Sequence, residues 1–222
     1  MFDLIFVPRG PEAAAVRRGL AHSSGTTRLF ETGIGAHAAG IAVDEALARG
    51  GARSVLATGL CGLLSPSFVV GDRLIYGEIV PPAGAPLPLD PTVAARAAAR
   101  LPGAQSGIRA YAGEDIVVEP ARKRALGERY TAQAVDLESF AIARRLREVG
   151  IPLAVVKVAS DGIDDRLPEL ERARDGSGGI DPSALALAFA AHPRAAARLV
   201  VASLRALAAL QTSIARLTAA RR

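Results

Sequence analysis

Two carboxylate-bearing segments carry most of the chemistry this sequence could do. Val135-Asp136-Leu137-Glu138-Ser139 closes one apolar run and opens a stretch with helical spacing. Val155-Val156-Lys157-Val158-Ala159-Ser160-Asp161 closes the next apolar run. Carboxylates at two strand ends, both before helices or loops, can face one cleft and act on whatever binds there. A structural reading competes at each position. Asp136 or Ser139 could cap the helix, Glu138 could sit in its first turn near the positive end of the dipole, and Asp161 could cap a turn.

Two glycine-rich segments precede these. Thr32-Gly33-Ile34-Gly35-Ala36-His37-Ala38 fits G-x-G-x-x-A between a strand and a helix. A dinucleotide site would also need an acidic residue about 20 positions further on. Ser54 and Val55 stand there, while Asp44 and Glu45 come too early, so a tight turn explains the glycines as well as a nicotinamide cofactor does. Ala57-Thr58-Gly59-Leu60-Cys61-Gly62-Leu63-Leu64 reads as a second turn, where glycines let backbone N–H groups approach a ligand closely. Cys61 has no histidine or basic neighbour in sequence and reads as a small buried side chain.

The elements that must position these residues follow from hydrophobic patterning. Short apolar runs predict strands over 4–8, 28–32, 54–58, 72–80, 108–112 and 153–160. Helical spacing predicts helices over 12–20, 36–49, 91–100, 120–130, 139–149 and 194–220. Pro81–Pro91 reads as a loop, and the acidic, glycine-containing stretch 161–182 as a long functional loop. Strands alternating with helices, without polar alternation along the strands, imply an α/β protein with a largely parallel sheet covered on both faces. Ligands in such sheets bind at the carboxyl ends of the strands.

The 222 residues suit one domain, with half the chain apolar and 22% charged, a balance that excludes a disordered protein. A single cysteine excludes an internal disulfide and a cysteine-rich metal site; no metal site is expected. Nothing reads as a signal peptide or a membrane span, so the cytoplasm is the expected compartment. The formal charge is +5, and only Lys123 and Lys157 of the 27 basic residues are lysines, a bias that base composition could explain. Residues 192–222 hold six arginines and no acid, leaving the rest near neutral. Within that tail Leu199, Val200, Leu204, Leu207, Leu210, Ile214 and Leu217 recur at three- and four-residue spacing opposite arginines. The helix either packs this stripe on the sheet or touches an anionic membrane surface. No aromatic interleaves with the arginines, and no nucleic-acid partner is expected.

Thr58-Gly59 with Gly62, Val70-Gly71-Asp72, Val135–Ser139 and Ser160-Asp161 together resemble the nucleoside phosphorylase and nucleosidase superfamily, in order and at suitable spacing over about residues 1–165. The resemblance implies a three-layer α/β/α sandwich with a central mixed sheet, and cleavage of the N-glycosidic bond of a nucleoside by water or phosphate. Gly113–Leu126 and Ser160–Pro168, with Gly179-Ile180-Asp181 and Pro193, look like the hopanoid-associated phosphorylases, which remove adenine from adenosylhopane. The methylthioadenosine/S-adenosylhomocysteine nucleosidases and futalosine hydrolases share the core motifs.

On that resemblance Asp161 is the acid that protonates the purine N7, aspartate here going with adenine, and Glu138 binds the ribose hydroxyls. Asp136, Leu137 and Ser160 complete the substrate contacts with Thr58, Gly59 and Gly62, and Gly33 and Gly35 line the nucleophile pocket with backbone N–H groups. Glu12 is placed to activate water, whereas Arg9 and Gly10 could instead hold phosphate. Two departures stand out: Ile116 occupies the position of a base-stacking aromatic ring, and Ala57-Thr58 stand where hexameric phosphorylases carry arginine. The implied partners are a small nucleoside, which could be lipid-linked, and a second copy in a homodimer, with no cofactor beyond phosphate as a co-substrate. A non-catalytic nucleoside-binding protein is the alternative of another class.

Overall fold

The structure is a computed structural model that describes residues 2–21, 23, 26–167 and 193–219. Eight strands form one mixed sheet. β1 (Leu4–Pro8) lies between β2 (Arg28–Thr32) and β3 (Val55–Leu63), parallel to both. β3 also runs parallel to β8 (Leu153–Asp161) and pairs antiparallel with the three-residue β7 (Ala134–Asp136). β8 pairs antiparallel with β4 (Arg73–Val80), which runs parallel to β6 (Gln105–Ala112), which runs parallel to β7. The pairings β3-β8-β4-β6-β7 therefore return to β3 and close part of the sheet into a ring. The short edge strand β5 (Leu87–Pro88) pairs with β4 inside the segment read from sequence as loop.

Helices cover the sheet on both faces. On one, α1 (Pro11–Leu20), α3 (Pro91–Arg100) and the last helix, α6 (Pro193–Thr218), bury Val16, Ala97, Leu210, Ile214 and Leu217 against Ile5, Leu56 and Val156. On the other, α2 (Ala36–Ala48) and α5 (Ser139–Glu148) bury Ala39, Val43, Ile142 and Leu146 against Leu4, Phe6 and Val155. A helix α4 (Pro120–Tyr130) stands beside a smaller cluster of Leu64, Tyr111, Val117 and Val135. The α/β fold with a mixed sheet flanked by helices is the one expected from sequence.

Two sequence expectations change. The segment 57–64 is not a turn: β3 runs through it, hydrogen-bonded to β8 along its length. Its glycines serve close approach instead, with Gly59 at φ +136° where a Cβ would lie 2.6 Å from Glu12 Oε1. The expected stripe of the tail helix also divides. Leu210, Ile214 and Leu217 are buried, but Val200 and Leu204 are exposed, together with Val201. α6 is long and apolar enough to cross a bilayer over Ala196–Thr218, yet its C-terminal half packs into the protein, and Arg100 donates to the carbonyls of Arg216, Leu217 and Ala219 at its end. Most of the long acidic stretch, with Gly179-Ile180-Asp181, lies outside the described residues.

Candidate active site

The carboxyl end of β3, β7 and β8 opens into a cavity of about 290 Å³. Glu12 reaches it from the first turn of α1, Asp136 and Glu138 from the junction of β7 and α5, and Ser160-Asp161 from the end of β8. Gly62, Ile116 and Leu137 also line it. The ladder between β3 and β8 slips by one residue here, Cys61 facing Ala159 and Gly62 facing Asp161. Such a bulge re-aims side chains at a strand end and brings Ser160 and Asp161 to one mouth. Gly62 leaves room for Asp161, whose Oδ2 would be 3.1 Å from a Cβ at that position.

The competing readings of Asp136 and Glu138 separate in space. Asp136 Oδ1 accepts the N–H groups of Glu138 at 3.0 Å and Ser139 at 2.8 Å, so it caps α5 while lining the cavity. Glu138 makes no cap. Its Oε1 accepts the Gly35 N–H at 2.9 Å and its Oε2 lies 3.6 Å from Lys157 Nζ. Burial raises the Glu138 carboxyl above its ordinary range, and Lys157 opposes the shift. The Gly35 amide, expected to face a nucleophile, is thus spent on orienting Glu138. Gly33 is not among the residues lining the cavity; Ile34 lines it instead.

Glu12 Oε1 accepts the Leu60 N–H at 2.6 Å. Burial pushes its carboxyl up to about 7, against the pull of Lys157. A carboxylate that ionises near neutrality suits a general base. Arg9 and Gly10 are exposed and do not line the cavity. Thr58 is buried, its hydroxyl donating to the Val156 carbonyl at 2.8 Å, which ties β3 to β8. Cys61 is buried, and burial raises its thiol far above the usual range, so it is no nucleophile. No cluster of residues among those described could hold a metal ion.

Two residues that the motifs did not single out complete the site. Lys157 is fully buried on β8, 3.6 Å from Glu138 and 3.9 Å from Asp136. Burial alone would lower its ammonium, but Asp136, Glu138 and Glu12 outweigh burial and hold it charged. Lys123, fully buried on α4, donates to Asp161 Oδ2 at 2.5 Å. Burial raises the Asp161 carboxyl, and Lys123 counteracts it. The signal for both was in the composition. The only two lysines of an arginine-rich chain are the two buried cations of the site. A compact ammonium fits among carboxylates where a planar guanidinium does not.

A second cavity of about 460 Å³ adjoins the first and shares Ser160, Asp161, Leu167 and Leu199 with it. Val70, Ala197, Val201 and Ala202 give it apolar walls, and Arg198 and Arg205 also line it.

The sequence matches the phosphorylase superfamily over residues 7–191, and the chain belongs to that family. None of the curated proteins matches the chain in sequence. Among solved structures it is similar to the 5′-methylthioadenosine/S-adenosylhomocysteine nucleosidase of Helicobacter pylori with butyl-thio-DADMe-Immucillin-A. That match has a TM-score of 0.67 at 15% identity and covers 95% of this chain and 96% of the other. It is likewise similar to the futalosine hydrolase of Helicobacter pylori, with a TM-score of 0.64 at 15% identity over 90% and 96% of the two chains. The Streptococcus pneumoniae MTA/SAH nucleosidase in complex with 8-aminoadenine matches with a TM-score of 0.65 at 17% identity over 93% and 100%. At these identities the likeness is one of fold.

Proposed function

We propose that this protein hydrolyses the N-glycosidic bond of an adenine-type purine nucleoside. The observation that carries the reading is the convergence of Glu12, Glu138 and Asp161, from three separate segments, on one cavity. Departure of the base leaves a ribosyl centre with oxocarbenium character, as in glycoside hydrolysis. Glu138, held by the Gly35 amide and Lys157, accepts the ribose hydroxyls and stabilises the developing charge. Asp161 gives a proton to N7 of the leaving base, and Glu12 takes one from the attacking water. Water is preferred to phosphate because Glu12 lines the cavity and Arg9 and Gly10 do not. Ile116 and Leu137 supply an aliphatic wall for the base or sugar.

The apolar second cavity supports a nucleoside with a bulky apolar group at the ribose 5′ position, of which adenosylhopane is the example the sequence suggests. Exposed Val200, Val201 and Leu204 on α6, near Arg198 and Arg205, suit contact with an anionic bilayer in which such a substrate resides. A cytoplasmic homodimer completes the proposal, to be checked by light scattering.

Chromatography of free base decides the central claim. Adenine release by wild type without phosphate is expected, reduced at least 100-fold in Asp161→Asn. Equal release by the variant overturns the acid assignment, and ribose 1-phosphate formed only with phosphate overturns hydrolysis. Comparing methylthioadenosine with a nucleoside carrying a long apolar 5′ group reads the role of the second cavity.

A further inference from the structure

An acid that must protonate a leaving base cannot do so as a bare carboxylate, and Asp161 is not alone. Lys123 places its ammonium 2.5 Å from Asp161 Oδ2, 2.8 Å from the Gly162 carbonyl and 3.0 Å from the Asp165 carbonyl, so each of its three protons has an acceptor. The side chain is 1% exposed. Ser160 Oγ lies 2.8 Å from the other oxygen, Oδ1. Gly162 N–H donates to Asp165 Oδ2 at 2.7 Å, fixing the turn that supplies both carbonyls. A buried ion pair of this kind stabilises a fold weakly, because desolvation offsets its attraction. Its cost is better explained by what it does for the cavity it borders.

We propose that Lys123 is the positioning residue of the leaving-group acid, holding Asp161 toward the base and supplying the proton that Asp161 passes on. This rests on the glycosidic reading above. As the C1′–N9 bond breaks, its electron pair goes to the purine ring. A proton from the Lys123 ammonium moves to the Asp161 carboxylate as the carboxyl proton passes on to N7, leaving an ionised Asp161 beside a neutral amine. Glu12 meanwhile holds the proton of the attacking water, and both groups re-equilibrate with solvent after product release. Lysine can part with a proton in this way; arginine at the same position would keep its charge throughout. That requirement fits the presence of lysine at position 123 in a chain where 25 of the 27 basic residues are arginine. The other charged or titratable groups lining the two cavities with Asp161 are Asp115, Glu12 on α1, Cys61 on β3, Asp136 and Glu138 at the junction of β7 and α5, Asp165 and Arg166 after β8, and Arg198 and Arg205 on α6.

Paired substrates test the inference. Lys123→Met and Lys123→Arg are compared with wild type on a purine nucleoside and on 4-nitrophenyl β-ribofuranoside, whose leaving group departs without a proton. Both variants are expected to lose about 100-fold in kcat on the purine nucleoside and to stay within about threefold on the nitrophenyl riboside. Equal losses on the two substrates, or full purine activity in Lys123→Arg, overturn the proposal. If Lys123→Met does not fold, Lys123→Arg alone decides. The carboxyl ¹³C resonance of Asp161, assigned with Asp161→Asn, reads the pair without substrate. Its titration midpoint should rise by at least two pH units in the variant that lacks the cation, and an unchanged midpoint overturns the pairing. If wild type frees no base, the glycosidic reading fails, while that titration still decides whether Lys123 controls Asp161.

Discussion

The carboxylates of the site differ in their hydrogen-bond partners, although three of them share the field of Lys157. Asp136 is committed to the N-terminus of α5, Glu138 to a backbone amide and Lys157, Asp161 to Lys123, and Glu12 to the Leu60 amide. Glu12 gives the clearest pH signature. Its folded value of about 7 lies above that of an exposed glutamate, so the folded state binds more protons between roughly pH 4 and 7. Stability from this group is therefore greatest at low pH and falls as pH rises through 7. The proposed base would work only when ionised, so the proposed hydrolysis is expected to rise over the same range. Glu12→Gln is expected to slow hydrolysis about 100-fold, to abolish the acid limb near pH 7, and to raise Tm more at pH 8 than at pH 5. A retained limb in the pH–rate profile would assign it to another group. At this scale the motifs singled out Asp136, Glu138, Ser160 and Asp161, which line one cavity, because short segments carry them. They missed Lys123, which lies 38 residues from its partner Asp161, and no local spacing links the two.

At the scale of elements, close approach decides more than propensity does. Gly19 of α1 faces α6, and a Cβ there would lie 2.6 Å from the Gln211 carbonyl oxygen and 2.8 Å from Ile214 Cβ. Gly40 of α2 has nothing within 4 Å. Alanine is the better helix former at both positions, by up to about 1 kcal/mol. Gly19→Ala is nonetheless expected to lower stability by about 1–3 kcal/mol, because α6 must shift, whereas Gly40→Ala should hold or raise it. Denaturant midpoints of the two variants provide the comparison. Most elements were legible from apolar runs and caps, β1, β2, α3 and α4 to the residue. β3 was cut short because Gly59 and Gly62 read as turn residues, and β5 was missed because Leu87-Pro88, two residues in a proline-rich stretch, carry no period.

The molecule as a whole presents one unusual face. Val201 and Leu204 are each 63% exposed on a helix whose far half is core, next to the apolar cavity and two arginines. Removing α6 would take Leu210, Ile214 and Leu217 with it, so substitution isolates the face where truncation would not. Val201→Asp with Leu204→Asp is expected to leave Tm within a few degrees and to cut sedimentation with anionic vesicles severalfold, more at low salt. Equal sedimentation of wild type and variant would remove the bilayer from the proposal. The sequence by itself determined the α/β class, the strand-end carboxylates and the amphipathic tail helix, since each is written in local patterning. Tertiary structure alone decided that β3, β8, β4, β6 and β7 close on themselves, which half of α6 is core, and which cation meets which carboxylate. Those are contacts between residues far apart in the chain, and only packing brings their charges within reach of one another.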